Sequence, residues 1–140
     1  MVELTNEDLQ CINLFESLTG AIARDCLNTP EGIVFIISEG ELGKAIGKSG
    51  RNINRVRTAF KKPVFIVENS EQLEKFIRNL FPDIEIREIN VHEKMNEKIA
   101  YIDVDERNRG SAIGKGGSKI KLNLALLMRR FNCDLRLQSK

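Results

Sequence analysis

The sequence predicts an α+β chain made of two copies of one unit, each a three-stranded sheet with helices packed on one face. Three observations predict it. An internal repeat lies at an offset of 67 residues, charge alternates along the chain in four blocks, and helix-like and strand-like segments run in the same order twice.

Laying "GKAIGKSGRNI" (43–53) over "GSAIGKGGSKI" (110–120) gives seven identities in eleven positions: Gly43 with Gly110, Ala45 with Ala112, Ile46 with Ile113, Gly47 with Gly114, Lys48 with Lys115, Gly50 with Gly117 and Ile53 with Ile120. One unit therefore occurs twice. The domains are expected at 1–68 and 69–140.

Thr5 with Asp8 predicts a capped helix start, and Leu9, Ile12, Phe15 and Leu18 recur on one helical face until Gly20. The segments "AIARDCL" (21–27) and "IVFIIS" (33–38) read as strands, with turn chemistry in "NTPEG" between them. A short helix around 41–46 meets a glycine loop at 47–50. The helix beyond it turns Ile53, Val56, Ala59 and Phe60 inward, and "PVFIVE" (63–68) makes the third strand. In the second unit Asn69 and Gln72 are expected to form a capping box for "SEQLEKFIRNLF", which stops before Pro82. "IEIREINVH" and "KIAYIDVD" read as strands joined around "EKMNE". A short helix, the loop at 114–117, a helix through "IKLNLALLMRRF" and a last strand "CDLRLQ" complete the order. Each unit reads α-β-β-α-α-β.

Residues 1–40 hold seven acids and one base, and residues 41–62 hold seven bases and one acid. Residues 63–106 hold eleven acids and five bases, and residues 107–140 hold nine bases and one acid. Solvated helix faces mix signs, so sorting of this strength points to two positively charged surfaces. Both carry the repeated loop. The longest apolar runs, "IVFII" and "LALLM", fall far short of the roughly 20 residues that cross a bilayer, and "MVELTNEDLQ" lacks a charged-then-apolar leader. A soluble, cytoplasmic protein without a membrane partner is expected. Cys11, Cys26 and Cys133 are isolated and odd in number, which favours small packing residues over a disulfide framework or a zinc site. His92, the one histidine, is expected in a solvated turn.

A Gly-Lys-Ser beside a helix start also raises a nucleotide-binding loop. Such a loop needs a glycine where this chain has Leu42, so the register fails. Asp103 and Asp105 are the best metal carboxylates of a nucleotide-using enzyme, but they read more simply as acidic strand-end residues. A non-enzyme is expected, with no cofactor, no metal and no small-molecule substrate.

The glycines fit a different task. Gly47-Lys48-Ser49-Gly50 and Gly114-Lys115-Gly116-Gly117 each join two helices. Glycine permits positive φ and lets another backbone approach without a Cβ in the way. The N-terminus of the second helix offers unpaired N–H groups and partial positive charge, which suit phosphate oxygens. Lys48 and Lys115 place a mobile cation at each loop tip, and Arg51, Arg55, Lys119 and Lys121 continue the charge along the helix. Ile46, Ile113, Ile53 and Ile120 read as core or groove wall. The Gly116-Gly117 loop is expected to be the more flexible of the two.

The stretches Ile46-Gly47-Lys48-Ser49-Gly50-Arg51-Asn52-Ile53 and Ile113-Gly114-Lys115-Gly116-Gly117-Ser118-Lys119-Ile120 resemble the signature of the KH domain, whose Gly-x-x-Gly loop clamps the backbone of about four nucleotides. The order α-β-β-α-α-β resembles the type II version, and two tandem type II KH domains of this kind are similar to the KH pair of the NusA family. The chain resembles the short archaeal NusA-like proteins made of that pair. The resemblance implies single-stranded RNA as partner, held by Gly47, Lys48, Ser49, Gly50, Arg51 and Arg55 and by Gly114, Lys115, Gly116, Gly117, Lys119 and Lys121. It also implies a role in transcription elongation, termination or antitermination, with RNA polymerase or other transcription factors as further partners. Type II KH domains occur in ribosome assembly and translation too, which is the alternative. With no Trp and one Tyr, the aromatic platforms of other RNA modules are hard to supply. No Gly or Pro breaks "FIVENSEQLEKF", so one rigid surface over both units is expected.

Overall fold

Helix α1 (Asn6–Thr19) starts where its sequence says it must. Thr5 Oγ1 accepts from the Asp8 N–H at 3.1 Å, and the Asp8 carboxylate accepts from the Thr5 N–H at 3.1 Å. Two orphan donors of the first turn are satisfied reciprocally. Gly20, at φ 76°, ends the helix. The computed structural model describes residues 4–139; residues 1–3 and 140 of the expected domain spans lie outside the described residues.

The chain divides into two units, one ending at Glu71 and the other beginning at Gln72. In the first, α1 is followed by β1 (Ala23–Thr29), β2 (Gly32–Ile37), α2 (Leu42–Ile46), α3 (Arg51–Phe60) and β3 (Val64–Glu68). The second holds α4 (Leu73–Leu80), β4 (Ile86–Lys94), β5 (Glu97–Val104), α5 (Glu106–Ile113), α6 (Ser118–Phe131) and β6 (Cys133–Ser139). The unit order is the same twice. Each sheet has three strands, β1-β2-β3 and β4-β5-β6, with the first pair antiparallel and the second parallel. The parallel pairing follows from the two helices that intervene between the second and third strands, since a parallel neighbour needs a crossover.

The first core gathers Ile12 and Phe15 of α1, Ile33, Phe35 and Ile37 of β2, and Ile53 and Val56 of α3. Phe15 stacks on Phe35 with ring centroids 4.2 Å apart, and Phe60 closes on Phe35 at 5.5 Å. All six residues of β2 are buried, as a central strand of β-branched and aromatic residues requires. In the second unit Phe76 meets Phe131 at 5.2 Å, with the Arg130 guanidinium over both rings. The Asn123 amide, buried in α6, donates to the Leu80 carbonyl at the end of α4 (3.3 Å). Among the described residues no helix is long and apolar enough to cross a membrane.

Several expectations need correction. Leu9 is exposed, because the buried stripe of α1 runs through Ile12, Phe15 and Thr19 and leaves Leu9 about 100° off it. Ala59 is exposed for the same reason, one step from Phe60. Strand β1 begins two residues later than expected, at Ala23, and its register is irregular between Ala23 and Asp25. The helix expected to be capped at Asn69 begins later, at Leu73. The Asn69 N–H instead donates to the Ile37 carbonyl (2.8 Å), prolonging the first unit's sheet, and Gln72 becomes the N-cap of α4 without a side-chain cap bond. The joint expected over "EKMNE" shrinks to Met95 and Asn96. Both have positive φ (50° and 72°), the geometry of a two-residue hairpin turn, so β4 and β5 run right up to it. His92 consequently stands in β4, exposed, with its ring edge-on to Tyr101 at 5.1 Å.

Candidate nucleic-acid interface

The two glycine loops have one backbone. Gly47 has φ 76° and ψ 172°, and Gly114 has 78° and 170°. The third residues, Ser49 (56°, 28°) and Gly116 (64°, 19°), both lie in the left-handed region. Gly50 (76°, 14°) and Gly117 (77°, 13°) complete the match. In each loop the first glycine stops the preceding helix, a single 3-10 turn follows, and the last glycine is the N-cap of the next helix. The turn is closed by Gly50 N–H to Gly47 O (3.2 Å) and by Gly117 N–H to Gly114 O (3.1 Å).

Close approach explains the first glycine of each pair. A Cβ on Gly47 would lie 2.7 Å from Asn52 Cγ and 2.9 Å from the Asn52 nitrogen; one on Gly114 would lie 2.7 Å from Lys119 Cβ. The following helix thus folds back tightly over the loop. In the first unit Asn52 fastens it further, its amide Nδ2 donating to the carbonyls of Lys44 (2.7 Å) and Thr19 (3.4 Å).

Neither α3 nor α6 has a side-chain cap at its N-terminus, and neither has an acid in its first turn. Their leading N–H groups and positive dipole ends therefore face the loops uncompensated. Lys48, Arg51, Arg55, Lys115 and Lys121 are exposed and Lys119 is half-buried. Among the described residues none of these six makes an ion pair. Four acids pair with other cations: Glu41 with Lys44, Glu74 with Arg78, Asp134 with Arg136, and Asp105 with Arg87 and Arg107. Each expected residue set is gathered on its own helix-loop-helix.

Ile46 is 40% exposed and Leu42, one turn before it on α2, is equally so. They form an apolar strip beside the first loop, while Ile53 is buried. Leu42 and Asn52 escaped the sequence reading. Asn52 was legible only as a polar residue opening a helix, and its partners lie 8 and 33 residues away. Asp103 and Asp105 take no part in either loop. Asp105 is the N-cap of α5, its carboxylate receiving the Arg107 N–H (2.9 Å) and both guanidinia, and it is held down to about 2 chiefly by the hydrogen bonds from Arg107. Among the described residues no three His, Cys, Asp or Glu side chains are grouped to hold a metal ion.

The sequence matches the KH domain family over residues 12–99, from within α1 of the first unit into β5 of the second. It is 39% identical over 119 residues to the probable transcription termination protein NusA of Methanococcus vannielii, covering 85% of this chain and 69% of that one. The chain belongs to the archaeal NusA family of KH-domain proteins. The Halococcus morrhuae NusA relative is 34% identical with 95% of both chains covered. The crystal structure of APE1850 is 39% identical, with a TM-score of 0.85 over 96% of this chain and all of that one. The KH match stops before the second loop, whose likeness to the first rests on the shared dihedral angles and the seven identities.

Proposed function

We propose that this chain is a single-stranded RNA-binding protein of the NusA type, acting in transcription termination or antitermination and associating with RNA polymerase or its factors in the cytoplasm. Each repeat, expected at 1–68 and 69–140, serves as a type II KH domain, and neither performs catalysis. One observation carries the reading. Two loops of the same conformation each set an uncapped helix N-terminus beside cations that make no ion pair among the described residues. A backbone phosphate satisfies both the orphan N–H groups and the charge at once.

Gly47 and Gly50, and Gly114 and Gly117, admit the ribose-phosphate chain closely. Lys48 and Lys115, with Ser49 or Gly116 between the glycines, meet phosphate oxygens, and Arg51, Arg55, Lys119 and Lys121 hold the chain beyond. Leu42 and Ile46 give the bases of the first site an aliphatic surface. The test is a salt-titrated binding assay with single-stranded RNA, the matching single-stranded DNA and a duplex. Single-stranded RNA should win, and replacing Lys48 and Ser49, or Lys115 and Gly116, by aspartates should weaken it. A folded double-aspartate protein that binds as tightly as the wild type rejects the assignment for that loop.

A further inference from the structure

Resting on the RNA-binding reading, we propose that the two clamps are inequivalent. The first is a pre-organised cradle set by Asn52, whose grip depends on geometry. The second, with Lys119 in the same place, grips the backbone by charge.

The backbones are alike, so the difference lies in what stands around them. At the position that folds over the first glycine, unit one has Asn52 and unit two has Lys119. The Asn52 amide ties α3 to the last turn of α2 through Lys44 O and to the end of α1 through Thr19 O. Three helices are thereby fixed around Gly47. Lys119 has three donors on a flexible stem and makes no such bond among the described residues. Lys119 instead lays its Cβ against Gly114 and adds a cation beside the loop.

The neighbouring residues divide in the same way. Ser49 holds the left-handed conformation with a side chain, where Gly116 is free to leave it. The cations after the first loop, Arg51 and Arg55, are guanidinium forks suited to bidentate, directional contact; those after the second, Lys119 and Lys121, are point charges. Leu42, exposed beside the first loop, is replaced at the repeat offset by Arg109. At three positions, Asn52 to Lys119, Ser49 to Gly116 and Leu42 to Arg109, the second unit has a mobile or charged residue where the first has a shape-dependent contact.

Asn52 is accordingly a positioning residue, acting through the loop rather than on RNA. The experiment uses the full chain and a labelled single-stranded RNA of mixed sequence, about 12 nucleotides long, enough for two four-nucleotide clamps. Kd is measured from low to high salt. Asn52→Ala is expected to weaken binding roughly three- to ten-fold at every salt concentration, with unchanged salt slope and faster amide exchange at Ser49 and Gly50. Lys119→Ala is expected to weaken binding mainly at low salt and to flatten the slope by about 0.7, one phosphate contact.

Lys119→Asn places an amide within reach of the Ser111 carbonyl, the repeat equivalent of Lys44. It should flatten the slope likewise while slowing amide exchange in the second loop. This variant keeps the test open if Asn52→Ala does not fold. The inequivalence is overturned if Asn52→Ala and Lys119→Ala change affinity and slope alike, or if Asn52→Ala leaves affinity unaltered. Those results leave RNA binding intact as long as the double-aspartate variants still lose affinity. If the double-aspartate variants bind normally, the RNA-binding reading fails, and this inference with it.

Discussion

Gly47 and Asn52 are packed so closely that no other residue fits at position 47: a Cβ there would stand 2.7 Å from Asn52 Cγ, 2.8 Å from its amide nitrogen and 2.9 Å from its backbone nitrogen. Gly50, three residues on, shares the positive φ but has nothing nearer than 3.8 Å to a Cβ. The two glycines of one motif are therefore needed for different reasons. Gly47→Ala is expected to destabilise the first unit by about 3 kcal/mol, combining the left-handed penalty with an overpacked contact to backbone. Gly50→Ala should cost about 1 kcal/mol, from the dihedral alone. Urea denaturation of the two variants distinguishes them, and equal costs would mean that Asn52 can move aside.

Ser49 and Gly116 occupy the same left-handed conformation, and no atom lies within 4 Å of a Cβ built on Gly116. Exchanging the two should therefore reveal backbone strain without steric interference. Gly116→Ser is expected to lower stability by about 1 kcal/mol. Ser49→Gly should raise it by no more than that, because added freedom in the unfolded chain offsets part of the relief. Thermal melts read both. A large loss for Gly116→Ser would place a neighbour where the structure has open space.

Much of this was legible because the informative signals were local. The Thr5–Asp8 box and the all-apolar β2 each reside within a few residues, and the repeat shows as identities between two short stretches. The misses share a cause. Asn69 looked like a helix cap because Gln72 follows at the right spacing, yet its N–H was claimed by Ile37, 32 residues earlier. Leu9 and Ala59 are apolar residues one step off their helical stripes, where composition says core and angle says solvent. Met95 and Asn96 hid a tight turn because methionine is an uncommon host for positive φ. At the site, the glycines and cations were readable from the motif, whereas the clasp of Asn52 to Lys44 and Thr19 exists only once three helices meet.

The three cysteines should differ in reactivity in the native state. Cys26 is buried in β1, and burial, with the nearby Cys11, Asp8 and Asp25, pushes its thiol far above the ordinary range. Cys133 is buried at the start of β6 and is raised by burial as well. Cys11 is half-buried on α1. Because the thiolate is the reacting species, a maleimide should label Cys11 first and reach Cys26 and Cys133 only after denaturation. Mass spectrometry of the native protein after timed labelling gives the order. Early modification of Cys26 would contradict the packing of the first core.

Asp105 ties the start of α5 to Arg107 and Arg87, the latter with Nη2 2.6 Å from its Oδ2. Its carboxyl falls from an ordinary 3.8 to about 2, first through the side-chain hydrogen bond from Arg107, then through the Arg107 N–H and the charges of both arginines. A carboxylate whose folded value lies below its unfolded one stabilises the fold above the unfolded value, and that contribution is lost as pH falls through the folded one. Here the window runs from about pH 4 down to about pH 2. Asp105→Asn retains a side-chain oxygen for the Arg107 N–H but removes the charge. The variant should be less stable than the wild type at neutral pH by an amount that stays constant down to about pH 4. The gap should then close toward pH 2, where the wild-type carboxyl is itself becoming neutral. Raised salt should narrow the neutral-pH gap, since all three side chains reach solvent. Chemical denaturation of the two proteins across that range, at low and high ionic strength, measures both dependences. A gap that persists unchanged to pH 2 would assign the role of Asp105 to shape rather than charge.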